Sequence, residues 1–297
     1  MAELAGPDPT IHRRRLRSEL RKAREAAGLT QRETAEAMDW SMSKLIRIET
    51  GDVRVSTNDL RAMLSYYTVD SERISALVDV AKAAREQPRW ARYKDVASPA
   101  YLAFLGYESS ATIIRNFEPT LVPGLLQTEE YAREVISAVE SADRVDSLVD
   151  LRIERQEIIF RQPAPKLHFI IDESVIRHLV GGPDVMRRQL VQLRELAAQP
   201  HINLRILTFD KGIYPRMRIP YVIFEFDAPE DEDVLYIENA TNELVIKENS
   251  PTDSEVDGPV GYLQSFWSLE QLAPREDAVH LLEDALARLA ARQNGAS

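Results

Sequence analysis

Apolar residues recur every three or four positions through the first 85 residues of the chain, and polar residues fill the positions between them. Leu16 and Leu20 show this spacing early in the chain, and Leu60 and Leu64 show it again later. Such a period is typical of amphipathic helices that bury one side. The pattern predicts five helices, over residues 16–28, 30–37, 41–50, 56–67 and 71–85.

Beyond Pro88 the pattern changes twice. An aromatic-rich stretch comes first, and helical spacing there predicts helices over 98–116, 128–139 and 146–160. After Pro163, short apolar runs between turn signals predict strands over 166–172, 202–209, 219–226, 234–238 and 243–247, with a turn over 239–242. Helices are predicted over 173–179, 183–199, 260–273 and 275–291, and a polar loop over 250–258.

These elements predict two domains of different class. A length of 297 residues fits two domains. The order strand, helix, strand over 166–209 allows the first two strands to lie parallel. The predicted fold is multidomain, with an all-α N-terminal domain followed by an α/β domain that has a mixed sheet and flanking helices.

The strongest local signals lie between Thr30 and Gly51. Thr30 and Glu33 have the spacing of a capping box, in which each side chain accepts a hydrogen bond from the other residue's backbone N–H. Ser41 is placed to cap the next helix, and Gly51 is placed to end it in a left-handed conformation. Leu45, Ile46 and Ile48 are predicted to face inward, and Met42, Ser43, Lys44 and Arg47 outward.

Several positions in this stretch agree in order with one family. They are Leu29-Thr30-Gln31, Ala35, Ser41, Ile46, and Ile48-Glu49 before Gly51. On these residues the stretch resembles the helix-turn-helix of the lambda-repressor/Cro-like family, the xenobiotic-response-element (XRE) or Cro/C1 type. The tight turn departs from the family, because Asp39-Trp40 stands where glycine is usual. The resemblance implies sequence-specific binding to double-stranded operator DNA.

With this resemblance the chain divides into four segments. The predicted segments are a disordered N-terminus over 1–12, a helix-turn-helix DNA-binding domain over 13–70, a helical linker over 71–89 and a C-terminal sensor or partner-binding domain over 90–297.

The net charge of −11 has to be divided between these domains before it is interpreted. Residues 1–70 hold 12 Lys and Arg against 11 Asp and Glu, and the remaining residues hold 25 against 37. The acidic excess therefore lies outside the predicted DNA-binding module. An acidic chain with this distribution is compatible with nucleic-acid binding.

In such a helix pair the second helix lies in the major groove with its N-terminal residues toward base edges. Arg47 is suited to a bidentate pair with guanine, Lys44 to a less rigid one, and Met42 to a thymine methyl group. A solvated polar face is the alternative for Lys44 and Arg47. The predicted base contacts are Met42, Ser43, Lys44 and Arg47.

Phosphate contacts are predicted around this helix and at the start of the chain. Arg13, Arg14 and Arg15 precede the first helix in this interpretation and act as an arm, with a solvated helix face as the alternative. The predicted phosphate contacts are Gln31, Arg32, Ser41, Arg54, Arg13, Arg14 and Arg15. A homodimer on a two-fold operator is expected, because one module offers a small contact surface.

The second half carries its own resemblance. Its residues are Phe117 to Ala132 with the run VPGLLQTEEYA, Arg152 with Arg155-Gln156, Ile171 to Ser174, and Gln189-Leu190. On these residues it resembles the C-terminal domain of the WhiJ-like helix-turn-helix proteins, a group of actinobacterial regulators. The resemblance implies a transcription regulator, often encoded beside a small partner protein and described as antitoxin-like.

Two functions for the second half remain open. In the first it is a sensor whose aromatic residues line a pocket for a small-molecule effector, although for most of these residues individually an ordinary core is the favoured explanation. Arg152, Arg155 and Gln156 then meet an acidic ligand or pair with nearby carboxylates, and Pro123 to Leu126 is a hinge or contact. In the second it is an antitoxin that binds a small neighbour-encoded protein, with DNA binding as autoregulation.

An enzyme is not expected. No His has a Lys two positions later, and neither GxSxG nor a phosphate-binding glycine loop occurs. Asp172-Glu173 is an isolated acidic pair, and the absence of cysteine excludes thiolate sites. We predict no catalytic residue, cofactor or metal. Without a signal-peptide core or an apolar run that could span a bilayer, a cytoplasmic protein is expected, nucleoid-associated when bound to DNA.

Overall fold

The computed structural model describes residues 8–238, 244–248 and 257–295. The chain forms two compact units, Met1–Ala91 and Arg92–Ser297. The turn predicted over 239–242, most of the loop predicted over 250–258, and the first seven residues of the predicted disordered N-terminus lie outside the described residues.

The first unit contains the five helices that the sequence predicts. They are α1 (Pro9–Ala26), α2 (Gln31–Ala37), α3 (Met42–Thr50), α4 (Thr57–Tyr66) and α5 (Ser71–Ala83). Residues from all five helices form one hydrophobic core, whose most completely buried members include Leu20, Leu45, Leu60, Met63 and Leu64. The all-α class of the N-terminal region is confirmed.

Two predicted boundaries of this unit are wrong. α1 begins at Pro9 because the Asp8 carboxylate accepts a hydrogen bond from the Thr10 N–H at 2.9 Å and proline fits the first helical turn. Residues 9–12 are therefore helical. α5 is not a linker, since Leu77 and Val78 are buried in the same core as the other four helices.

The second unit is built on a six-stranded mixed sheet in the order β3-β2-β1-β4-β5-β6. β1 pairs parallel with β2, and β2 with β3, whereas β1–β4, β4–β5 and β5–β6 are antiparallel. The parallel pair predicted over 166–209 is confirmed, as is the mixed sheet with flanking helices. The strands are β1 (Ile113–Glu118), β2 (Lys166–Asp172), β3 (Ile202–Leu207), β4 (Tyr221–Glu225), β5 (Val234–Glu238) and β6 (Leu244–Glu248).

The central strand β1 lies where the sequence predicts the end of a helix. The observed helix α6 (Pro99–Ser110) stops before it, and Ser109 and Ser110 both turn their hydroxyls back to the Gly106 carbonyl at 3.0 Å. The Arg115 guanidinium then meets the Glu225 carboxylate on β4 at 2.6 Å. Strands β2 and β4 flank β1 on both sides, so pairing with distant residues decides its conformation.

Helices cover the sheet on both sides. On one face, Phe266 and Leu269 of α10 pack against a core that includes Phe117 of β1 and Ile223 of β4. On the other face, Phe104 of α6 lies against Phe224 with 5.1 Å between ring centroids. The remaining helices are α7 (Glu129–Ser137), α8 (Ala142–Arg155), α9 (Gly182–Ala197), α10 (Pro259–Leu272) and α11 (Asp277–Gly295).

Two segments predicted as α-helix form 3-10 turns instead, Gln156–Phe160 directly after α8 and Glu173–Ile176 directly after β2. Over the described ranges, none of the helices combines the length and the apolar character that crossing a membrane requires.

Candidate nucleic-acid interface

The capping signals read from the sequence all form in the structure. The Thr30 N–H donates to the Glu33 carboxylate at 2.8 Å, and the Glu33 N–H donates to the Thr30 hydroxyl oxygen at 3.2 Å. The Ser41 hydroxyl oxygen accepts from the Lys44 N–H at 3.2 Å. Gly51 ends α3 with a φ of 88°. These contacts fix both ends of α3 and the start of α2.

The turn between the two helices uses Asp39 at a φ of 54°. Short polar residues tolerate this left-handed conformation better than most others, because their side chains hydrogen-bond locally. Asp39 therefore takes the conformation for which glycine is usual in the family that the sequence resembles.

α3 has one buried and one exposed side. Leu45 is completely buried and Ile48 nearly so, as predicted, whereas Ile46 is only partly buried. Met42, Ser43 and Arg47 are exposed on the opposite side. Within the described part of the chain, the Arg47 guanidinium has no hydrogen-bond or ion-pair partner. The outward orientation predicted for these residues is confirmed.

The Lys44 side chain also lies on the outer side of α3, but it already contacts two other residues of the first unit. Its Nζ atom lies 3.6 Å from the centre of the Trp40 ring and 3.7 Å from Oδ2 of Asp59 on α4. Trp40 is partly buried and packs against the hydrophobic core of the unit. Trp40 and Asp59 therefore hold the Lys44 ammonium at the side of α3.

A buried network joins α1, α2 and α3. The Arg24 guanidinium donates to both oxygens of Glu49, at 2.7 and 3.1 Å, and to the Leu29 carbonyl at 2.9 Å. The Gln31 amide donates to the same Glu49 carboxylate at 2.8 Å. The hydrogen bond to Glu49 outweighs burial and raises the pKa of Arg24. Glu49 is therefore a structural residue.

This network changes the interpretation of Gln31. The sequence places its amide at a phosphate, whereas the structure shows an amide N–H directed into the protein at Glu49. Arg17, a residue that sequence reasoning did not single out, completes the support. Its Nη1 donates to the Thr50 carbonyl at 2.8 Å at the C-terminal end of α3. A basic residue in a run of basic residues carries no spacing signal for such a long-range contact.

The predicted N-terminal arm is wrong. Arg13, Arg14 and Arg15 lie inside α1, the Nε of Arg13 donates to the Ala84 carbonyl at 2.8 Å, and its Nη2 donates to the Glu86 carbonyl at 3.2 Å. Burial, together with the charge of Arg54, lowers the pKa of Arg13. Arg14 is buried and Arg15 is partly buried.

The other predicted phosphate contacts remain at the surface. Arg32 is 80% exposed and pairs with Glu36 one turn later, at 3.0 Å. Ser41 and Arg54 are also exposed, although the Ser41 hydroxyl is already used as the cap of α3.

In the second unit, the run around Pro123-Gly124 is held by polar side chains from two helices. From α9, the Gln189 amide accepts from the Thr128 N–H and donates to the Leu126 carbonyl, both at 2.8 Å. Gln156 donates to the carbonyls of Gly124 and Gln127, at 3.0 and 2.8 Å. With this many anchors the run is a fixed structural element.

Arg152 and Arg155 have different partners. Arg155 is buried and pairs with the buried Glu108 carboxylate, with Nη2 2.8 Å from Oε1. Burial lowers the pKa of Arg155, but the charge of Glu108 outweighs burial and raises it. Arg152 meets an amide, with Nη1 2.6 Å from the Gln127 side-chain oxygen.

The acidic pair at the end of β2 is held within the protein. The Asp172 carboxylate accepts from the Tyr214 hydroxyl at 2.7 Å and from the Ser174 N–H at 2.8 Å, and Glu173 pairs with Arg177 at 2.7 Å. In the ranges that the structure describes, no three or more His, Asp or Glu side chains gather in a way that could hold a metal ion.

Comparison with known families identifies both units. Residues 15–77 match a helix-turn-helix domain model, which supports a DNA-binding regulator, and residues 101–257 match a model described as a domain of unknown function (DUF5753). No curated protein and no solved structure matches the chain. Since the second match covers more than half of the 297 residues, the chain belongs to the DUF5753 family, with a helix-turn-helix domain ahead of the family domain.

Proposed function

We propose that the chain is a sequence-specific DNA-binding transcriptional regulator that places α3 in the major groove. The observation that carries this proposal is the exposed side of α3, where Arg47 stands without a protein partner among the described residues. Leu45 and Ile48 anchor the same helix to the core from its other side. A short, capped and firmly anchored helix with an exposed polar side is what reading base edges requires.

The base contacts divide by chemistry. Arg47 pairs with a guanine through its O6 and N7 atoms, and Met42 contacts a thymine methyl group. Ser43 hydrogen-bonds to either kind of base edge. Lys44 reaches a base or a phosphate only after it leaves Asp59, a change that costs little because the pair is more than one-third exposed on both sides.

Backbone contacts come from Arg32, Ser41 and Arg54 in this proposal. Arg32 exchanges an exposed pair with Glu36 for a phosphate, and Arg54 is exposed beside α3. Such contacts set the position of the protein on DNA without reading its sequence. We propose no phosphate contact for Arg13, Arg14 or Gln31. The side chains of Arg13 and Gln31 are hydrogen-bonded within the first unit, and Arg14 is buried there.

We further propose that two copies bind a two-fold operator and that the second unit binds the effector. The XRE type of the first unit and the WhiJ-like character of the second are part of this proposal. A cavity of about 1450 Å³ within the second unit favours a small-molecule effector. The alternative is an antitoxin-like protein that binds a small neighbour-encoded partner, and it predicts that such a protein co-purifies with the chain.

Genome-wide binding followed by footprinting identifies the operator. On that operator, Arg47→Ala should weaken binding by roughly 1–3 kcal/mol and relax specificity at one base pair. Lys82→Ala is the matched control, because it removes an exposed positive charge from α5, where Lys82 pairs only with Asp79 in the part of the chain that is described. If folded Arg47→Ala protein binds the operator as tightly as the wild type, the assignment of α3 to the groove is wrong.

A further inference from the structure

A large cavity lies within the second unit, against one face of the sheet. Asn116, Val222 and Tyr236 form part of its wall, and the strand register makes them neighbours across β1, β4 and β5. Its volume is about 1450 Å³, more than the roughly 300–1,000 Å³ of an ordinary ligand pocket. The cavity is large enough for a ligand with several rings or a long chain.

Arginine is the commonest charged residue in the lining, although the C-terminal half of the chain is strongly acidic. Five of the lining residues are arginines and two are glutamates. Two of the arginines are paired with carboxylates, Arg155 with Glu108 at 2.8 Å and Arg144 with Glu140 at 2.6 Å. These two ion pairs are part of the cavity wall, and each pair has no net charge that could attract a charged ligand.

The charges of Arg152 and Arg218 are not neutralised in this way. Within the described part of the chain, neither arginine forms an ion pair with a carboxylate. Arg152 donates from Nη1 to the neutral amide of Gln127, and its Nε is buried without a hydrogen-bond partner. A buried N–H left in this state costs free energy. The guanidinium groups of Arg152 and Arg218 leave the cavity with an excess of positive charge.

The phenol of Tyr101 lies close to the positive charges of Arg152 and Arg155. Its hydroxyl oxygen accepts from Nη1 of Arg155 at 3.1 Å. Burial opposes ionisation of Tyr101, but the charges of Arg155 and Arg152 outweigh burial and lower its pKa. A negative charge is thus stabilised at this end of the cavity.

Most of the remaining lining residues are apolar, and some of them are exposed. Ile213 is 94% exposed and Val139 is 71% exposed, and Met217 is exposed as well, on two separate segments that both line the cavity. Phe104 and Tyr236 lie 4.2 Å apart between ring centroids on the inner wall. Exposed apolar side chains at the edge of a cavity indicate a surface that a ligand covers.

We propose that this cavity binds an organic anion, with an acidic group at Arg152 and Arg218 and an aromatic or aliphatic body against the apolar wall. The inference rests on the proposed function only in calling this ligand the effector of the regulator. Binding itself needs no DNA and can be measured on the full chain alone.

Two fluorescent probes with nearly the same rings separate charge from apolar contact. The anionic probe is 8-anilinonaphthalene-1-sulfonate, and the neutral probe is N-phenyl-1-naphthylamine, which lacks the sulfonate. Each is titrated into the full chain to obtain a Kd and a stoichiometry. The variants are Arg152→Met, Arg218→Gln and the control Arg187→Gln, which removes an exposed arginine of α9 outside the cavity lining. Near-UV circular dichroism verifies folding.

We expect one saturable sulfonate site per chain. Arg152→Met should raise the Kd of the sulfonate about tenfold, in line with the loss of a charge-assisted hydrogen bond. It should change the Kd of the neutral probe less than about twofold, and Arg187→Gln should change neither. Arg218→Gln should weaken the sulfonate selectively as well. Its side chain is exposed, so this variant tests the inference even if Arg152→Met fails to fold.

The inference is overturned if the sulfonate shows no saturable site, if folded Arg152→Met and Arg218→Gln bind it as the wild type does, or if both probes lose affinity equally. The fate of the proposed function is independent of these outcomes. Arg47→Ala should retain the sulfonate site, and a chain that binds the sulfonate but no operator would refute the regulator and leave the organic-anion site standing.

Discussion

The guanidinium of Arg24 on α1 donates to both carboxylate oxygens of Glu49 on α3, at 2.7 and 3.1 Å. Glu49 is only 1% exposed. A buried pair of this kind contributes less to stability than its geometry indicates, because both charges lose their hydration. Its main effect is to fix α3 against α1, with Gln31 of α2 bound to the same carboxylate.

Removal of one partner of this pair should be costly. Glu49→Ala leaves Arg24 buried without its counter-charge, so the free energy of unfolding of the first unit should fall by about 3–5 kcal/mol. The double variant Arg24→Met/Glu49→Leu should recover most of this loss. Hydrogen exchange of the amides in α1 and α3 measures the effect. A single variant as stable as the wild type would show that the pair is dispensable.

The contact of Lys44 with Asp59 predicts a variant that binds DNA more tightly. Asp59→Asn removes a negative charge beside the proposed groove helix and releases the Lys44 ammonium, which lies 3.7 Å away. We expect operator affinity to rise about threefold to tenfold, as for the removal of a repulsive charge near phosphates. Asp79→Asn on α5 is the control and should leave affinity unchanged. An unchanged or weaker affinity for Asp59→Asn would contradict the proposed role of Lys44.

The salt dependence of DNA binding distinguishes the proposed role of Arg54 from that of Arg13. Arg54 is exposed and is proposed to contact a phosphate, so Arg54→Ala should flatten the slope of log K against log salt by about 0.9. Arg13 is bound to the carbonyls of Ala84 and Glu86. Arg13→Ala should therefore lower the stability of the first unit and leave this slope unchanged. Titrations of both variants at several salt concentrations test this prediction, and the reverse result would show that Arg13, rather than Arg54, contacts a phosphate.

Glu270 on α10 makes the stability of the second unit depend on pH. Burial raises the pKa of Glu270, but the hydrogen bond from His168 and the charges of His168, Arg205 and Arg115 outweigh burial and lower it. A lowered pKa in the folded state stabilises the protein above the pKa of the unfolded state. This contribution is lost as the pH falls through the folded-state pKa.

Glu270→Gln should therefore reduce the loss of stability on acidification below about pH 5, the range in which carboxylates titrate. Glu276→Gln, at an exposed position just beyond α10, serves as the control. Thermal unfolding between pH 3 and pH 7 measures the difference. Parallel curves for the wild type and Glu270→Gln would exclude a contribution from Glu270.

Sequence alone determined the features whose partners lie within one helical turn. Thr30 and Glu33 cap each other across three residues, Ser41 caps α3, and Gly51 ends it. The periodic burial of Leu45 and Ile48 follows from the same short-range geometry. For this reason the five helices and the exposed side of α3 could be predicted without a structure.

Conformations and contacts that depend on distant residues follow only from the folded chain. β1 is a strand because β2 and β4 pair with it on both sides, although its sequence continues the pattern of the preceding helix. Arg13 is bound to residues more than 70 positions away. The cavity gathers Arg152 and Arg218 from separate segments. Local periodicity records which side of an element is apolar, whereas only the folded chain determines what that side or its charged neighbours will meet.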